Sequence, residues 1–317
     1  MYNEKSIAVV VPAYNEELLI EKTLKSMPDA VDRIIVVDDA STDRTSIVVE
    51  ESARVDKRVF LLRHDVNRGV GGAIVSGYKN ALEADIDITV VMAGDAQMDP
   101  DDFLSIIGPI EEGRADYTKG NRLFYGDAWR MIPHYRYLGN SFLSLLTKIA
   151  SGYWHIADSQ CGYTAISLVA LKRIDLEGIY ERYGMPNDLL IKLNQHDFRV
   201  CDVHVRPVYN IGEKSGIKLR KVVPRISWIL LKGFIKRLVF KYVIRDFHPL
   251  VFFYLLGIIL FPAGLISGSW LIYYRIFQGP VAATSALFAV FLFVSGLQSL
   301  FFAMWFDMDY NKDLKVK

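Results

Sequence analysis

Polar and acidic residues follow four short apolar runs in the amino-terminal part of the sequence. The clusters occupy residues 12–17, 38–43, 64–72 and 93–97. Carboxylate, amide and hydroxyl groups in such clusters can bind a polar ligand through hydrogen bonds. A single cluster is also compatible with turn and helix-cap chemistry, as for Asp43 behind the possible caps Ser41 and Thr42. Four clusters in succession indicate a shared ligand site.

The apolar runs before these clusters predict buried β-strands, and a further run predicts a strand much later. The strands are predicted at residues 7–11, 33–37, 59–62, 88–92 and 200–205. Helical patterns lie between the early strands, at residues 17–26, 43–52, 72–83 and 101–111. This alternation predicts an α/β fold with a mostly parallel sheet covered by helices on both faces. Ligands of such sheets bind at the carboxyl ends of the strands, where the four clusters fall.

Missing motifs argue against several enzyme classes. The glycine-rich stretch at residues 69–74 fails the dinucleotide-binding fingerprint because Ile74 stands where the last glycine belongs, and the P-loop lysine pattern is absent. The six histidines are scattered without the spacing of zinc ligands. The sequence also lacks the G-x-S-x-G elbow of acyl-transfer enzymes.

Composition indicates a chain with two parts. The 317 residues are 51% hydrophobic, and the excess lies after about residue 222. A net charge of +1 gives no general attraction to nucleic acid. Two cysteines, Cys161 and Cys201, form no disulfide framework and fit a reducing compartment. The amino terminus has no signal-peptide pattern, so we expect the first part to stay in the cytosol.

Two uncharged stretches, residues 249–274 and 276–306, follow a basic segment at residues 214–245. Each stretch exceeds the roughly 20 residues that cross a bilayer as a helix, and only a short turn near Arg275 separates them. We therefore predict a transmembrane hairpin, with a pair of buried core helices as the alternative. The basic segment is almost free of acidic residues, which places both termini on the cytoplasmic side.

The basic segment itself carries an amphipathic pattern. Ile226, Ile229, Leu230, Phe234 and Leu238 recur at helical spacing among lysines and arginines. This pattern predicts interfacial helices near anionic headgroups, and a plain basic flank is the alternative. The predicted domains are a catalytic domain, juxtamembrane amphipathic helices, two transmembrane helices and a cytoplasmic tail, at residues 1–215, 216–247, 248–306 and 307–317.

The four clusters also carry a family resemblance. The runs VVVPAYNEE, VVDDASTDRT, NRGVGGAIVSGY and AGDAQMDPDD resemble the family 2 inverting glycosyltransferases of the GT-A fold. The resemblance covers residues 6–215, with the motifs in the family's order. It is nearest to the polyprenyl-phosphate branch, which includes dolichol-phosphate mannose synthase and the dolichyl-phosphate and bactoprenyl-phosphate glucosyltransferases. The run DSQCGY at residues 158–163 resembles the D-x-Q-C-G-F run of the glucosyltransferases.

The resemblance implies a divalent metal, Mg²⁺ or Mn²⁺, bound by Asp95 with Gln97 beside it. The family's usual D-x-D motif is incomplete, because Ala93 occupies the first aspartate position. One clear carboxylate therefore remains, and a second ligand would have to come from elsewhere. The implied nucleotide-binding residues are Pro12, Ala13, Tyr14, Glu16, Asp39, Gly71 and Gln97.

The implied catalytic residues are Asp95, Asp158 and Asp188. Asp158 and Asp188 are the candidate bases, but an acceptor phosphate is already anionic near neutral pH and needs little help. Asp158 can therefore position rather than deprotonate, and helix capping is the alternative role of Asp188. The aromatic and basic stretch at residues 125–137 is interpreted as an acceptor loop. The residues implied for the acceptor phosphate are Arg136, Ser141, Lys214 and Ser215.

The implied reaction transfers a hexose, glucose first and mannose second, from a UDP- or GDP-sugar to a polyprenyl phosphate. The protein would be an integral membrane protein, in the plasma membrane if prokaryotic, with its catalytic domain in the cytoplasm and with a homodimer or homotetramer as its assembly. Two alternatives remain open. A processive polysaccharide synthase usually carries a Q-x-x-R-W run, which is missing here. A non-catalytic anchor that binds nucleotide-sugar is supported by Ala93.

Overall fold

The computed structural model describes residues 2–123, 134–208 and 219–316, apart from the side chains of residues 135–136 and 219–222. Contacts divide the chain into two compact units. Unit 1 comprises Met1–Phe234 and Asp313–Lys317, and unit 2 comprises Ile235–Lys312.

Unit 1 is built on a sheet of seven strands among the described residues. These are β1 (Ile7–Ala13), β2 (Arg33–Asp38), β3 (Val59–Arg63), β4 (Ile88–Val91), β5 (Tyr117–Asn121), β6 (Thr164–Ser167) and β7 (Val200–His204). Their order is β3-β2-β1-β4-β6-β5-β7. β6 runs antiparallel to β4 and β5, and the other pairs are parallel. The prediction of a mostly parallel sheet is confirmed.

Six of these strands point the same way, so their carboxyl ends meet at one edge, here called the carboxyl edge. The residues just before the reversed strand β6 reach the same edge. β1 is buried along its whole length, because helices cover both faces of the sheet. Alternate β1 residues accordingly belong to two cores, with Val10 in one and Val9 in the other.

The helices of unit 1 begin with the four predicted ones. In chain order they are α1 (Ile20–Lys25), α2 (Thr45–Val55), α3 (Val70–Glu83), α4 (Phe103–Glu111), α5 (His134–Ser151), α6 (Leu168–Arg173) and α7 (Met185–Gln195). α8 (Leu219–Val239) starts in unit 1 and ends in unit 2. α1 begins three residues later than predicted, because Glu16 and Glu17 are engaged with the loop before α2.

The strands β5 and β6 and the helices α5 and α6 were not predicted. Leu143 and Ala150 of α5 form a small core with Ile191 of α7 and with Ile226 and Leu230 of α8. α5, α7 and α8 therefore pack together around this core.

Unit 2 contains a π-helical segment (Phe240–Arg245) followed by α9 (Leu250–Phe277) and α10 (Ala283–Tyr310). α9 and α10 have 28 residues each and mean hydropathies of 2.4 and 2.1, long and apolar enough to cross a membrane. They pack closely at glycines. A Cβ on Gly264 would lie 2.4 Å from the backbone nitrogen of Phe293, and one on Gly257 would lie 2.6 Å from Leu300. The later residue of α9 meets the earlier residue of α10, which shows that the two helices run antiparallel as a hairpin.

A buried polar cluster closes the open end of this hairpin. Arg237 Nη1 and Nη2 donate to the two carboxylate oxygens of Asp307 at 2.8 and 3.0 Å. Tyr242 also donates to Asp307, and Lys241 Nζ donates to Asn311 Oδ1 at 2.7 Å. All five side chains are buried among apolar helices.

The residues after α10 return to unit 1. Lys315 forms a parallel bridge with Val200 at the start of β7. Leu314 and Val316 pack against the two cores of the sheet. The chain therefore leaves unit 1, forms the helix pair and comes back to unit 1.

Candidate functional site

The strand ends hold the first loops of the carboxyl edge together. Pro12 and Ala13 close β1 and are buried. The backbone N–H of Asp39 donates to the oxygen of Ala13 at 2.9 Å, and that of Gly94 donates to the oxygen of Pro12 at 3.2 Å. The loops after β2 and β4 therefore flank the loop after β1, as the sheet order requires.

The loop after β1 is cross-linked to the loop after β2. Asn15 Oδ1 accepts from the N–H of Thr42 at 2.8 Å, and the N–H of Glu16 donates to Thr45 Oγ1 at 2.8 Å. Asn15 adopts a left-handed backbone with φ of 57°, which turns the chain sharply after the strand. Tyr14 consequently lies exposed at the rim of the edge.

Asp39 is buried and organises the glycine-rich loop. Its Oδ1 accepts from the N–H of Arg68 at 2.8 Å and contacts His64 Nδ1 at 2.7 Å, while its Oδ2 accepts from the N–H of Gly69 at 2.7 Å. Gly69 has φ of 88°, a conformation that glycine adopts without strain. Asp39 thus fixes the loop that the sequence placed at the ligand site.

Gly71 lies just beyond, at the start of α3. A Cβ there would meet the backbone oxygen of Tyr180 at 2.4 Å, so this glycine permits close packing with the segment before α7. Its role in nucleotide binding stays a prediction.

A second feature of the edge is a concentration of carboxylates. Burial, with the charges of Asp95 and Asp43, raises the pKa of Glu16 to about 7. Asp95 Oδ1 accepts from the N–H of Gln97 at 3.1 Å across a turn in which Ala96 has φ of 55°. Asp95 and Glu16 are therefore close enough for their charges to interact, and a bound cation would relieve this repulsion.

This donor set fits a hard divalent cation. No group of three or more His, Cys, Asp or Glu side chains with metal-ligand geometry occurs among the described residues. Mg²⁺, however, is commonly held by one or two protein carboxylates together with substrate phosphates. Asp95 and Glu16 would supply two such carboxylates, and Gln97, two residues from Asp95, carries an amide oxygen. A cation whose remaining ligands come from a phosphate substrate would suit this edge.

Asp158 lies at the same edge, just before β6, and is fully buried. Its Oδ2 is 2.8 Å from Arg122 Nε, and its Oδ1 accepts from the N–H of Gln160 at 3.1 Å. Burial raises the pKa of Asp158, but the charges and hydrogen bonds of Arg122, with Lys119, outweigh this and hold it below its usual value. Asp158 is therefore an ionised, ion-paired carboxylate.

Two buried titratable side chains near Asp158, those of Lys119 and Asp202, were not predicted from the sequence. Lys119 Nζ donates to the oxygen of Cys161 at 2.6 Å, and burial lowers the pKa of Lys119. Asn121 Nδ2 donates to Asp202 at 2.6 Å, and burial raises the pKa of Asp202 to about 6. The one available signal was the polar run KGNR at residues 119–122, which follows no apolar strand pattern.

Further contacts connect the loop that carries Asp95 with the stretch that carries Asp158. Met98 Sδ accepts from the N–H of Ala93 at 3.3 Å, and a Cβ on Gly162 would lie 3.1 Å from Met98 Cε. The loop that carries Asp95 thus touches the stretch that carries Asp158. Gln160 Nε2 donates to the buried Asn187 Oδ1 at 2.9 Å, which ties this stretch to α7.

The remaining predicted residues are more dispersed. Asp188 Oδ2, in the first turn of α7, accepts from the N–H of Tyr180 at 3.0 Å, so it ties the segment before the helix to its first turn. Ser141 Oγ donates to the oxygen of Tyr137 within α5 at 2.8 Å. Lys214, Ser215 and the Arg136 side chain lie outside the described residues, as does most of the predicted acceptor loop.

Comparison with known proteins agrees with this geometry. The family described as Glycosyl transferase family 2 matches residues 8–175. The UDP-N-acetylglucosamine–dolichyl-phosphate N-acetylglucosaminyltransferase of Methanococcus voltae is 32% identical over 219 residues, covering 65% of this chain and 87% of the relative. The undecaprenyl-phosphate mannosyltransferase of Micrococcus luteus is 29% identical over 229 residues, covering 70% and 93%.

Solved structures show the same fold. Glucosyl-3-phosphoglycerate synthase of Mycobacterium tuberculosis, in complex with Mn²⁺, uridine diphosphate and glucosyl-3-phosphoglycerate, has a TM-score of 0.54 and 21% identity. The match covers 74% of this chain and 80% of that chain. The chain therefore belongs to glycosyl transferase family 2, and it is a glycosyltransferase with a GT-A fold.

Proposed function

We propose that this glycosyltransferase transfers a hexose from a nucleotide-sugar to a polyprenyl phosphate, with inversion at the anomeric carbon. The observation that carries the proposal is the presence, in one chain, of a carboxylate-rich sheet edge and a pair of apolar helices long enough to span a bilayer. A water-soluble donor suits the first feature and a lipid acceptor suits the second. The names of the M. voltae and M. luteus relatives, which include dolichyl and undecaprenyl phosphate, support this acceptor class.

The reaction is a single displacement. An oxygen of the acceptor phosphate attacks the anomeric carbon, and the bond from that carbon to the nucleoside diphosphate breaks. The acceptor needs no strong base, because a phosphate monoester is largely ionised near neutral pH. The ion pair of Asp158 with Arg122 supports a positioning role for Asp158, since this carboxylate is buried and already engaged.

Asp95, with Gln97 and Glu16 beside it, would hold a divalent cation against the donor diphosphate. Such a cation supplies neutralisation of the charge that develops on the leaving nucleoside diphosphate. The Mn²⁺ and uridine diphosphate of the mycobacterial structure support this assignment. Tyr14 would lie against the nucleotide at the exposed rim, and Asp39 would hold the glycine-rich loop beside it.

Glucose is the first sugar to test and mannose the second. The resemblance of residues 158–163 to the glucosyltransferases supports glucose. N-acetylglucosamine belongs in the same panel, because the M. voltae relative is named for it. The nucleotide would be UDP or GDP according to the sugar.

The catalytic unit would lie on the cytoplasmic side of the membrane. The basic segment before α9 supports this orientation, since lysine and arginine mark the cytoplasmic side. The path of the chain agrees with it, because residues Asp313–Lys317 rejoin unit 1 after the helix pair. Two spans return the chain to the side of the membrane on which it started, so both ends of the helix pair would face the same compartment.

The test is a transfer assay with membranes that contain the full chain, a polyprenyl phosphate, Mg²⁺ and a panel of radiolabelled nucleotide-sugars. We expect label in the organic phase as one sugar per lipid, and a loss of transfer of at least about 100-fold in Asp95→Asn. Asp101→Asn, on an exposed turn nearby, is the matched control and should keep wild-type transfer. Wild-type turnover in Asp95→Asn would contradict the metal assignment, and a growing sugar chain would favour a polysaccharide synthase.

A further inference from the structure

Helix α5 exposes a continuous apolar stripe. Leu138, Phe142 and Leu145 are 61%, 58% and 50% exposed and are spaced four and three residues apart. Residues at this spacing lie on one face of a helix. Single exposed apolar residues are ordinary on protein surfaces, but an aligned row of large ones marks an interaction surface. These three residues are called the α5 stripe.

Helix α8 has a comparable stripe. Trp228 is 67% exposed and Leu231 is 49% exposed, while Ile226 and Leu230 on the other side are buried. Tryptophan is enriched at membrane–water interfaces, because its ring is apolar and its N–H is polar. α8 therefore has one apolar face in the core of unit 1 and another facing outward.

The two helices share a core. Leu143 and Ala150, on the inner side of α5, pack in the same cluster as Ile226 and Leu230 of α8. The inner faces of both helices are thus fixed within unit 1. Their outer stripes are left for another partner.

Both helices carry charges of one sign only, which is positive. Neither α5 nor α8 contains an aspartate or glutamate, although the chain has 36 acidic residues. Arg225 and Lys232 are exposed beside the α8 stripe, and Lys148 lies in the last turn of α5. Apolar stripes with basic flanks and no acid complement a surface of anionic headgroups over hydrocarbon.

We propose that α5, within the catalytic unit, lies in the membrane interface together with α8 and inserts the α5 stripe between the lipids. The inference rests on the membrane location in the proposed function and extends it from the juxtamembrane segment to the catalytic unit itself. The occupant of the stripe is the bilayer, because α8 continues along the chain into two helices of membrane-spanning length. A second copy of the chain suits the stripe less well, because it would bring the same basic flanks to the surface.

This placement of α5 affects where the acceptor phosphate would be held. Ser141 stands within α5 between Leu138 and Phe142, one residue from the stripe. The inner face of the same helix donates from Thr147 Oγ1 to Asn187 Oδ1 at 3.0 Å, and Asn187 also binds Gln160. A helix with one face in the lipid and the other bonded to the catalytic loops would bring the acceptor phosphate to the carboxyl edge.

The test uses site-directed fluorescence on the full chain in vesicles of phosphatidylcholine and phosphatidylglycerol. Cys161 and Cys201 are buried, so one introduced surface cysteine can be labelled selectively. Phe142→Cys, labelled with an environment-sensitive fluorophore, should be quenched by doxyl-labelled lipids at least about three-fold more than Val169→Cys. Val169 is the matched control, since it is 60% exposed on α6 of the same unit.

A label at Ile258→Cys on α9 distinguishes failure of this inference from failure of the membrane location itself. Strong quenching at position 258 with quenching at 142 no greater than at 169 would overturn the inference and leave the proposed function standing. Absence of quenching at 258 would overturn the membrane location as well. Self-quenching between labels at position 142, without quenching by lipid, would overturn the inference in favour of self-association.

Discussion

The buried ion pair of unit 2 gives a sharp prediction about stability. Asp307→Asn keeps the shape of the side chain and an oxygen that can accept from Tyr242. It removes the negative charge that Arg237 binds through two hydrogen bonds of 2.8 and 3.0 Å. Both side chains of the pair are fully buried, so water cannot solvate the Arg237 guanidinium once its counter-charge is gone.

The expected cost follows from this burial. Removing one partner of a buried pair leaves an uncompensated charge and typically costs about 3–5 kcal/mol. The same helix offers a matched control in the pair of Asp309 with Lys312, at 3.1 Å and with both side chains largely exposed. Asp309→Asn should cost no more than about 1 kcal/mol, because exposed pairs are screened by solvent.

The measurement is equilibrium unfolding of the full chain in detergent micelles, followed by tryptophan fluorescence and circular dichroism. We expect Asp307→Asn to unfold at a clearly lower denaturant concentration than Asp309→Asn. The double variant Arg237→Met with Asp307→Leu should recover part of the loss, since two apolar side chains need no counter-charge. A cost for Asp307→Asn within about 1 kcal/mol of the Asp309→Asn control would refute the reasoning.

Three further variants test other parts of the structure. Gly264→Ala should destabilise the helix pair by about 1–3 kcal/mol because its Cβ meets backbone, whereas Gly268→Ala, with open space around it, should be neutral or slightly stabilising in the same unfolding assay. Asp202 has its pKa raised by burial from 3.8 to about 6, so its ionisation destabilises the fold as pH rises through this range. Asp202→Asn should therefore match wild type near pH 4 and be more stable by up to about 3 kcal/mol at pH 8; equal stabilities at pH 8 would contradict this. Asp158→Asn should lower thermal stability by about 2–4 kcal/mol, because it strips Arg122 of its counter-charge, and should reduce transfer; unchanged melting would remove the positioning role.

The strands that could be predicted from the sequence are those made of a continuous run of apolar residues. β1, β2 and β4 are buried on both faces and read as continuous apolar runs, and the edge strand β3 has an apolar run although it is only partly buried. β5 contains Lys119 and Gly120 and carries no such run. Its burial depends on partners more than forty residues away, the oxygens of Cys161 and Tyr163. Local pattern cannot reveal such partners.

The candidate site divides in the same way. The residues after β1, β2 and β4 could be predicted, because each follows its strand directly and parallel strands share one carboxyl edge. The pairing of Asp158 with Arg122 could not, since these residues lie 36 positions apart in sequence. The hold of Asp39 on the N–H groups of Arg68 and Gly69 was equally hidden, and it gives this carboxylate a part in organising the loop, while its contact with the nucleotide stays a prediction.

The return of residues 314–316 to β7 has a consequence for how the protein is made. During synthesis the ribosome releases the whole helix pair before it releases Lys315, which bridges to Val200. The outer border of the catalytic sheet therefore stays incomplete until both hydrophobic helices have left the ribosome. The last contact at this border of the sheet therefore forms only after the helix pair has been synthesised.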